Sequence, residues 1–591
     1  MHRFHIPVMG IGFTVDSALR VAKLGISTVI SLADDRVMEQ VRRHYCDSYG
    51  LGCTPITAHD PDPRANRITA WLDLVNDVVQ SQSEELNAQP LEPGTDKWRY
   101  VSLLPDSSEL RQRALRGEQV FLPAGAIDVN IMTKVDSATF AADGTQREAE
   151  YSLAKASLRG FVRSKLAGRV VLSAGVNPSL FGYIEQFEQF HRDDQGRVAK
   201  AVILKVSDVR SALIQGRYLA KKGVEVDEFR IESGLNCGGH VFPTDGELMG
   251  PILEEFRNQR SEFPALFEPL IEAWYAARGR TLHPSARGRR ILVTAQGGVG
   301  NQGEMRRLTE HYGVDLVGWA TPFLLVPEVV VMDKATRDRL AAATEDDLYV
   351  SNASPLGVKF NNLRGSTSEE WHRQRVADGK PGSPCPKGLL AMNTEFEGAR
   401  PICTASAEYQ GKKLASLGFA TAPAWEDGQE VYQKACICDH LGNSALLGLG
   451  ISKKELPVAV CPGPNLAYFD RTYRLEEMVD HIYGRGNSLV PEDRPHMFAK
   501  ELQLYVDHCL QLDGKKFESF RGKLLQGIAH YRQLVAAYPG ENLASLHEAL
   551  DAQTDRLVTP SAPAHVPRFF DARARLPIGA AAPERERGQE R

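Results

Sequence analysis

Short apolar runs alternate with helical stretches over the first 335 residues of the chain. Each run is rich in Val, Ile and Leu, and each ends near a small or polar residue. Runs that are apolar on both faces are typical of parallel strands covered by helices. We predict eight such strands, at residues 6–10, 27–32, 127–134, 169–175, 198–208, 228–234, 290–296 and 314–320.

Eight strand–helix units in series predict an α/β fold, a closed (β/α)8 TIM barrel over residues 1–335. A GxGxxG pattern, Gly298, Gly300 and Gly303, follows the seventh strand rather than the first. A dinucleotide-binding unit needs an acid at the end of the next strand, whereas Asp315 lies at its start. Loops after strands 7 and 8 commonly hold phosphate in barrels, so the pattern predicts a phosphate-binding loop.

Two long insertions interrupt the strand–helix rhythm, and a separate module follows it. Residues 33–126 come after strand 2 and are too long for an ordinary loop, so we predict a lid or subdomain over the barrel mouth. Residues 240–288 form a second insertion, after strand 6. Residues 340–556 form a cysteine-containing, mostly helical C-terminal module, and the Pro/Ala/Arg-rich residues 557–591 are predicted to be disordered.

Composition is ordinary for a soluble globular protein of two to four domains: 591 residues, 42% hydrophobic and 25% charged. The net charge of −5 gives no reason to expect a nucleic-acid or membrane partner. No signal-peptide pattern opens the chain, and no apolar run is long enough for a transmembrane helix. We therefore expect a cytoplasmic protein.

Five of the nine cysteines fall between residues 385 and 461, each in a Pro- or Gly-rich context. Clustered thiols in a chain without an export signal suggest metal or redox chemistry more than disulfides. Four of them can ligate a [4Fe–4S] cluster; zinc, with His440 available, and unligated structural or redox thiols are the alternatives. The five are Cys385, Cys403, Cys436, Cys438 and Cys461; Cys46, Cys53 and Cys509 are scattered and need no function.

Barrel enzymes place their chemistry at the C-terminal ends of the strands. The polar residues predicted there are Asn130, Lys134, Asn177, Lys205, Ser207, Glu232, Asn236, His240 and Gln296. Charged side chains in apolar strands are costly unless they are paired or used. Lys205 and Glu232, on neighbouring strands, therefore either form an ion pair at the barrel mouth or face a ligand.

Four motifs in the expected order resemble the FMN-dependent (β/α)8 oxidoreductases, most of all the nitronate monooxygenase (2-nitropropane dioxygenase) and FMN enoyl reductase branch. They are PVMG at 7–10, GGH at 238–240, GGVG at 297–300, and GWA at 318–320 leading to Phe323, Leu324 and Glu328. The resemblance implies bound FMN. The residues implied to bind it are Met9, Gly10, Asn130, Lys205, Gly239, Gly297, Gly298, Gly300, Gly318, Trp319 and Ala320.

The same resemblance implies an oxidoreductase that moves a hydride or electrons through flavin N5, with an iron–sulfur relay if the cysteines hold a cluster. His240, Lys134 and Lys205 are the expected catalytic residues. The expected partners are a small-molecule substrate and a ferredoxin-like or nicotinamide electron donor. The alternative is a barrel lyase or synthase that binds a phosphorylated substrate and forms a Schiff base on Lys205 or Lys134. A third reading is a non-catalytic binding protein.

Overall fold

The computed structural model describes residues 1–141, 144–173, 175–232, 234–241, 246–385, 387–396, 400–537 and 543–559. The predicted disordered tail lies outside these residues from 560 onward. The strands are β1 (Phe4–Ile6), β2 (Ser27–Ser31), β3 (Ile127–Met132), β4 (Arg169–Ser173), β5 (Ala201–Val206), β6 (Val226–Glu232), β7 (His240–Val241), β8 (Leu292–Gln296), β9 (Leu316–Gly318), β10 (Leu348–Ser351) and β11 (Lys359–Leu363).

Helices follow most of the barrel strands and dominate the C-terminal module. They are α1 (Ser17–Val21), α2 (Asp35–Ser48), α3 (Pro63–Ala88), α4 (Asp96–Leu103), α5 (Glu109–Leu115), α6 (Leu153–Arg163), α7 (Pro178–Ile184), α8 (Val209–Ala220), α9 (Met249–Gln259), α10 (Phe263–Ala276), α11 (Gln302–Arg306), α12 (Lys334–Ala341), α13 (Thr367–Ala377), α14 (Ala407–Ser416), α15 (Gln429–Tyr432), α16 (Cys438–Gly448), α17 (Leu475–Tyr483), α18 (Met497–Cys509), α19 (Gly514–Ala537) and α20 (Ala544–Val558). In the described part of the chain, no helix has both the length and the apolar character to cross a bilayer.

The eight predicted strands form a closed barrel in the order β1-β2-β3-β4-β5-β6-β8-β9. Every neighbouring pair is parallel, and β9 closes the barrel on β1 through Phe4↔Val317 and His5↔Gly318. The predicted (β/α)8 fold is therefore confirmed. The first strand ends earlier than predicted, at Ile6, so that residues 7–10 form the loop at its C-terminal end.

The insertion after β2 lies along the outside of the barrel. Helix α3 packs against α2 and α6, and Lys23 pairs with Asp96 at the start of α4. Tyr100, in α4, donates to the carbonyl of Pro123, just before β3 begins. This segment therefore buries apolar side chains against the outer helices, and Asp34 at its start pairs with Lys387 of the C-terminal module; its role as a lid stays a prediction.

The C-terminal module also packs on the strand ends at the barrel mouth. Strand β11 pairs antiparallel with β10 and with β7, the short strand that follows β6. An added Cβ at Gly12, in the loop after β1, would lie 2.7 Å from the Leu441 carbonyl oxygen. The module thus packs directly on the strand ends where the candidate residues lie.

A buried carboxyl group in the module gives a test of this packing. Glu501 of α18 accepts the N–H of Met249 and the hydroxyl of Tyr531, and burial raises the pKa of Glu501 to about 7. The pKa of Glu501 is higher in the folded than in the unfolded protein, so the folded protein binds this proton more tightly. The resulting stabilisation is complete at pH values below the unfolded pKa, and it is lost as the pH rises towards 7. Between pH 5 and pH 8, we expect the free energy of unfolding to fall by about 3 kcal/mol more in the native protein than in Glu501→Gln.

Urea unfolding at the two pH values measures this difference. The matched control is Glu518→Gln, at an exposed position in the neighbouring α19, which should follow the native protein. If the free energy of unfolding changes by the same amount with pH in the native protein and in Glu501→Gln, the Glu501 carboxyl group does not bind a proton in this pH range.

Candidate active site

His240 reaches the barrel mouth on β7. The pairing Phe360↔His240 fixes the position of this strand, and His240 Nε2 shares a 2.6 Å hydrogen bond with Ser354 Oγ. Burial, together with the positive charges of Lys205 and Lys134, lowers the pKa of His240 to about 4. The imidazole is therefore neutral at pH 7, and it can accept a proton but has none to spare as an acid.

Lys205 and Glu232 form the ion pair that was one of the two alternatives left open by the sequence. Lys205 Nζ lies 2.5 Å from Glu232 Oε2, and both side chains are mostly buried. Gln296 Nε2 donates to the other carboxylate oxygen at 2.7 Å. The three side chains come from β5, β6 and β8, so adjacent strands meet in one polar cluster at the mouth.

Lys134 lies just beyond the end of β3 and is exposed. An added Cβ at Gly175, after β4, would lie 3.1 Å from Lys134 Cε. Because its charge acts on His240 together with that of Lys205, the three predicted catalytic residues surround one region. Asn130, further down β3, is buried, and its Oδ1 has no hydrogen-bond partner among the described residues.

The loops after β8 and β9, the seventh and eighth barrel strands, carry main-chain N–H groups that have no acceptor among the described residues. In the described structure, five buried residues there show no main-chain N–H donation: Gly297, Gly298, Val299, Ala320 and Thr321. The indole N–H of Trp319 is also buried and without a partner among the described residues. Buried N–H groups are nearly always paired in folded proteins. These groups therefore mark a place where an anion fits, and phosphate suits converging N–H donors.

The rest of the GxGxxG loop is already engaged by protein. The Gly300 N–H donates to Glu304 Oε2 at 2.7 Å, so this donor is occupied by a side chain, and the role predicted for Gly300 stays a prediction. Arg494 pairs with Glu304 at 2.7 Å and donates to the Gly298 carbonyl at 2.8 Å. His481 bonds to the Gly300 carbonyl oxygen through Nε2. These contacts leave Gly300 held by protein groups on both its N–H and its carbonyl.

Other residues implied to bind the flavin meet different neighbours. The Gly239 N–H donates to the Cys461 carbonyl, and the Gly239 carbonyl accepts from Asn361, so both backbone groups of Gly239 bind the C-terminal module. Met9 is buried, and Gly10 has a φ of 83° with Cys461 Sγ 3.7 Å from where its Cβ would stand. Gly297 and Gly318 pack tightly on the Asn236 backbone and the Gln296 side chain respectively.

Glu328 does not complete the anion site. It pairs with Arg99 of the insertion at 2.9 Å and accepts the N–H of Leu475. This carboxylate therefore fastens the outer helices to the C-terminal module.

The cysteines do not assemble as predicted. Among the described residues, no group of three or more His, Cys, Asp or Glu side chains is arranged to hold a metal ion, so the structure does not support a [4Fe–4S] cluster. Cys461 lies apart from the other four, against Gly10 and Gly239, and His440 bonds to Ser368 Oγ. Cys46 and Cys53, to which no role was assigned, form a disulfide at the end of α2.

No protein-family model matches the sequence, and no curated protein matches it. Several solved structures are similar to the chain at low identity. The structure of FabK from Thermotoga maritima is 13% identical in sequence to this chain. The match covers 81% of this chain and 92% of the FabK chain, with a TM-score of 0.37. The enoyl reductase domain of MlnA from Bacillus amyloliquefaciens is 13% identical, with coverages of 82% and 94% and a TM-score of 0.42.

Nitroalkane oxidase from Streptomyces ansochromogenes is 11% identical, with coverages of 61% and 76% and a TM-score of 0.30. Two of these structures are named as an enoyl reductase domain and a nitroalkane oxidase. The strand pairing described above establishes the barrel independently of any of these matches.

Sequence reasoning missed Val299, Thr321, Ser354 and the Arg494–Glu304 pair. Val299 and Thr321 lie inside or beside motifs already singled out, so the motif spacing could have identified them. Ser354 and Arg494 belong to the C-terminal module, far along the chain from the residues that they contact. No local pattern marks such partners.

Proposed function

We propose that this protein is an FMN-dependent oxidoreductase whose barrel holds the FMN phosphate at the loops after β8 and β9. The observation that carries the proposal is the set of buried residues at 297–299 and 320–321 whose main-chain N–H groups have no acceptor among the described residues. A phosphate would accept these hydrogen bonds and remove the cost of leaving the donors unpaired. The position agrees with the phosphate sites of other barrels.

The remaining residues fit a planar, polar ring system lying across the mouth. FMN supplies a hydride or electron acceptor at N5 when it is bound. The unpartnered Asn130 Oδ1 offers an acceptor for a ring N–H. Lys205 offers an ammonium group whose charge is partly balanced by Glu232. His240, neutral at pH 7, would take a proton from the substrate, with Ser354 fixing its orientation.

A base rather than an acid at this position favours substrates that lose a proton from carbon, such as nitroalkane-like compounds, over reactions that need a proton donor. Unsaturated acyl compounds would require another donor for the proton. A nicotinamide or ferredoxin-like electron donor and a cytoplasmic location remain part of the proposal.

The experiment is a comparison of FMN and riboflavin binding to the purified protein. Both flavins carry the ring system, and only FMN carries the phosphate. Charge-assisted hydrogen bonds to phosphate contribute about 1.5–3 kcal/mol each, so we expect FMN to bind at least ~100-fold more tightly than riboflavin. Equal affinities would refute the anion site, and no binding of either flavin would refute the flavoenzyme. A lysine adduct trapped with borohydride would favour the lyase.

His240 gives the corresponding prediction for activity. In FMN-loaded protein, flavin reduction by a nitroalkane substrate should stay constant from pH 8 down to about pH 5 and fall through pH 4, because only the neutral imidazole is a base. Replacing it in His240→Gln should slow reduction by about 10²–10⁴-fold. Stopped-flow absorbance measures both.

The matched variant for the pH profile is Lys134→Met, which removes one of the positive charges that lower the pKa of His240. In this variant, the fall in the rate of flavin reduction at acid pH should occur at a higher pH than in the native protein, while flavin binding is retained. If flavin reduction in the native protein instead falls near pH 6.5, and Lys134→Met does not shift that pH, His240 is not the base.

A further inference from the structure

The backbone of His240 is held by residues on both sides of the barrel mouth. Phe360 pairs with His240 across β7 and β11, and Asn236 Nδ2 donates to the His240 carbonyl oxygen at 2.6 Å. Asn361 of β11 in turn donates to Asn236 Oδ1 at 2.8 Å. These contacts fix where the His240 side chain begins. They do not set the direction in which its ring nitrogens point, because the side chain can still turn about its own bonds.

That direction is set through Ser354. The distance between His240 Nε2 and Ser354 Oγ is 2.6 Å, and Ser354 is completely buried. Ser354 Oγ also accepts the N–H of Leu356 at 3.1 Å. A hydroxyl group bonded both to a main-chain N–H and to a ring nitrogen has two of its directions fixed. The placement of the His240 ring therefore depends on the placement of the Ser354 hydroxyl.

The turn that carries Ser354, between β10 and β11, is held by Lys434. Lys434 Nζ donates to the carbonyl oxygens of Asn352 and Ser354, at 2.8 and 3.0 Å. The N–H of the next residue, Ala435, donates to the carbonyl oxygen of Ala353 at 3.1 Å. Three consecutive carbonyl groups of the turn are thus bonded by two consecutive residues of a distant segment.

Lys434 is itself well anchored. Its carbonyl oxygen accepts from Gln410 Nε2 at 2.8 Å, and Gln410 of α14 is completely buried. Within the described structure, the amino group of Lys434 bonds to two carbonyl oxygens and to no carboxylate. Ordering a lysine side chain costs conformational entropy. Here the ordered side chain joins the turn to α14 and neutralises no acid.

We propose that Lys434 is a positioning residue for His240 and acts through the turn and Ser354. The inference rests on the proposed role of His240 as the base. A base must point its lone pair at the proton that it takes, and a displacement of about 1 Å can slow a reaction by about 10²-fold. Without the two hydrogen bonds of Lys434, the Ser354 hydroxyl and the His240 ring lose their fixed direction.

The first test measures how fast diethyl pyrocarbonate acylates His240 in the purified full-length protein at pH 7, without added flavin, by peptide mass mapping. This reagent attacks neutral imidazole nitrogens. Lys434→Met and Ser354→Ala should each raise the rate at His240 by about 5-fold, because Nε2 loses its hydrogen bond. Buried His372 should stay unreactive in both variants, which shows that the module is folded. Lys412→Met, which removes an exposed lysine of α14, is the matched control and should react like the native protein.

The second test asks whether Lys434 acts through Ser354. In FMN-loaded protein, Lys434→Met should slow flavin reduction by nitroethane by about 10–10²-fold, with an unchanged KM. Ser354→Ala should slow it at least as much, and the double variant should be no slower than Ser354→Ala alone, because the two residues act in series. Lys434→Gln keeps an N–H donor and should be slowed less; it replaces Lys434→Met if that variant does not fold.

A native acylation rate at His240 in Lys434→Met, beside a raised rate in Ser354→Ala, would overturn the proposal. Rate losses that multiply in the double variant would also overturn it, and so would acylation of His372 in Lys434→Met, because Lys434 would then only support the fold. If the protein binds no flavin, the proposed function fails. The acylation rates still decide whether Lys434 positions His240, since they are measured without flavin.

Discussion

Replacing Gly298 with valine is expected to weaken FMN binding by at least ~100-fold, because the loop would lose both its backbone conformation and its open N–H groups. Gly298 has a φ of 84°, and an added Cβ would stand 2.4 Å from Leu235 Cδ1. A β-branched residue at positive φ is strained by about 1–3 kcal/mol. Relief of that strain turns the N–H groups of residues 298 and 299 away from the phosphate.

The same sequence motif provides the control. Gly303 is exposed, has no positive φ, and lies in α11 beside Asn301. Gly303→Ala should bind FMN like the native protein when flavin fluorescence quenching is titrated. Equal losses in Gly298→Val and Gly303→Ala, or a Gly298→Val variant that binds normally, would place the phosphate elsewhere. Riboflavin binding should change much less than FMN binding in Gly298→Val, since riboflavin lacks the phosphate.

The second large effect is expected at the ion pair between Arg494 and Glu304. Both side chains are almost fully buried, and Arg494 also donates to the carbonyl of Gly298 and to Asn465 Oδ1. Arg494→Met leaves the Glu304 carboxylate buried without its counter-charge. Breaking one partner of such a pair costs about 3–5 kcal/mol of unfolding free energy, which is large against the whole stability of a protein.

The double variant Glu304→Gln with Arg494→Met separates charge from packing. It removes both charges and should recover most of the stability, because no uncompensated ion stays buried. Urea unfolding at pH 7 measures the three proteins. Destabilisation of the double variant as large as that of Arg494→Met would show that the hydrogen bonds of Arg494, not the buried charge of Glu304, hold the C-terminal module on the glycine loop.

The sequence by itself determined the barrel. Each of the eight apolar runs is short and apolar on both faces, and each is separated by helical sequence, so strand and helix follow from spacing that is local in the chain. The same local patterns placed the glycine loop after the seventh strand and the polar residues at the strand ends. Lys205 and Glu232 were expected to be neighbours because consecutive parallel strands lie side by side.

Only the tertiary structure decided how the C-terminal module meets the barrel. It packs on the strand ends at the mouth, gives His240 its partner Ser354, and fills part of the glycine loop with Arg494. It also separates Cys461 from the other cysteines of its segment. These contacts join residues more than a hundred positions apart. Their formation depends on which surfaces fit once both parts have folded, and no periodicity in the chain records that fit.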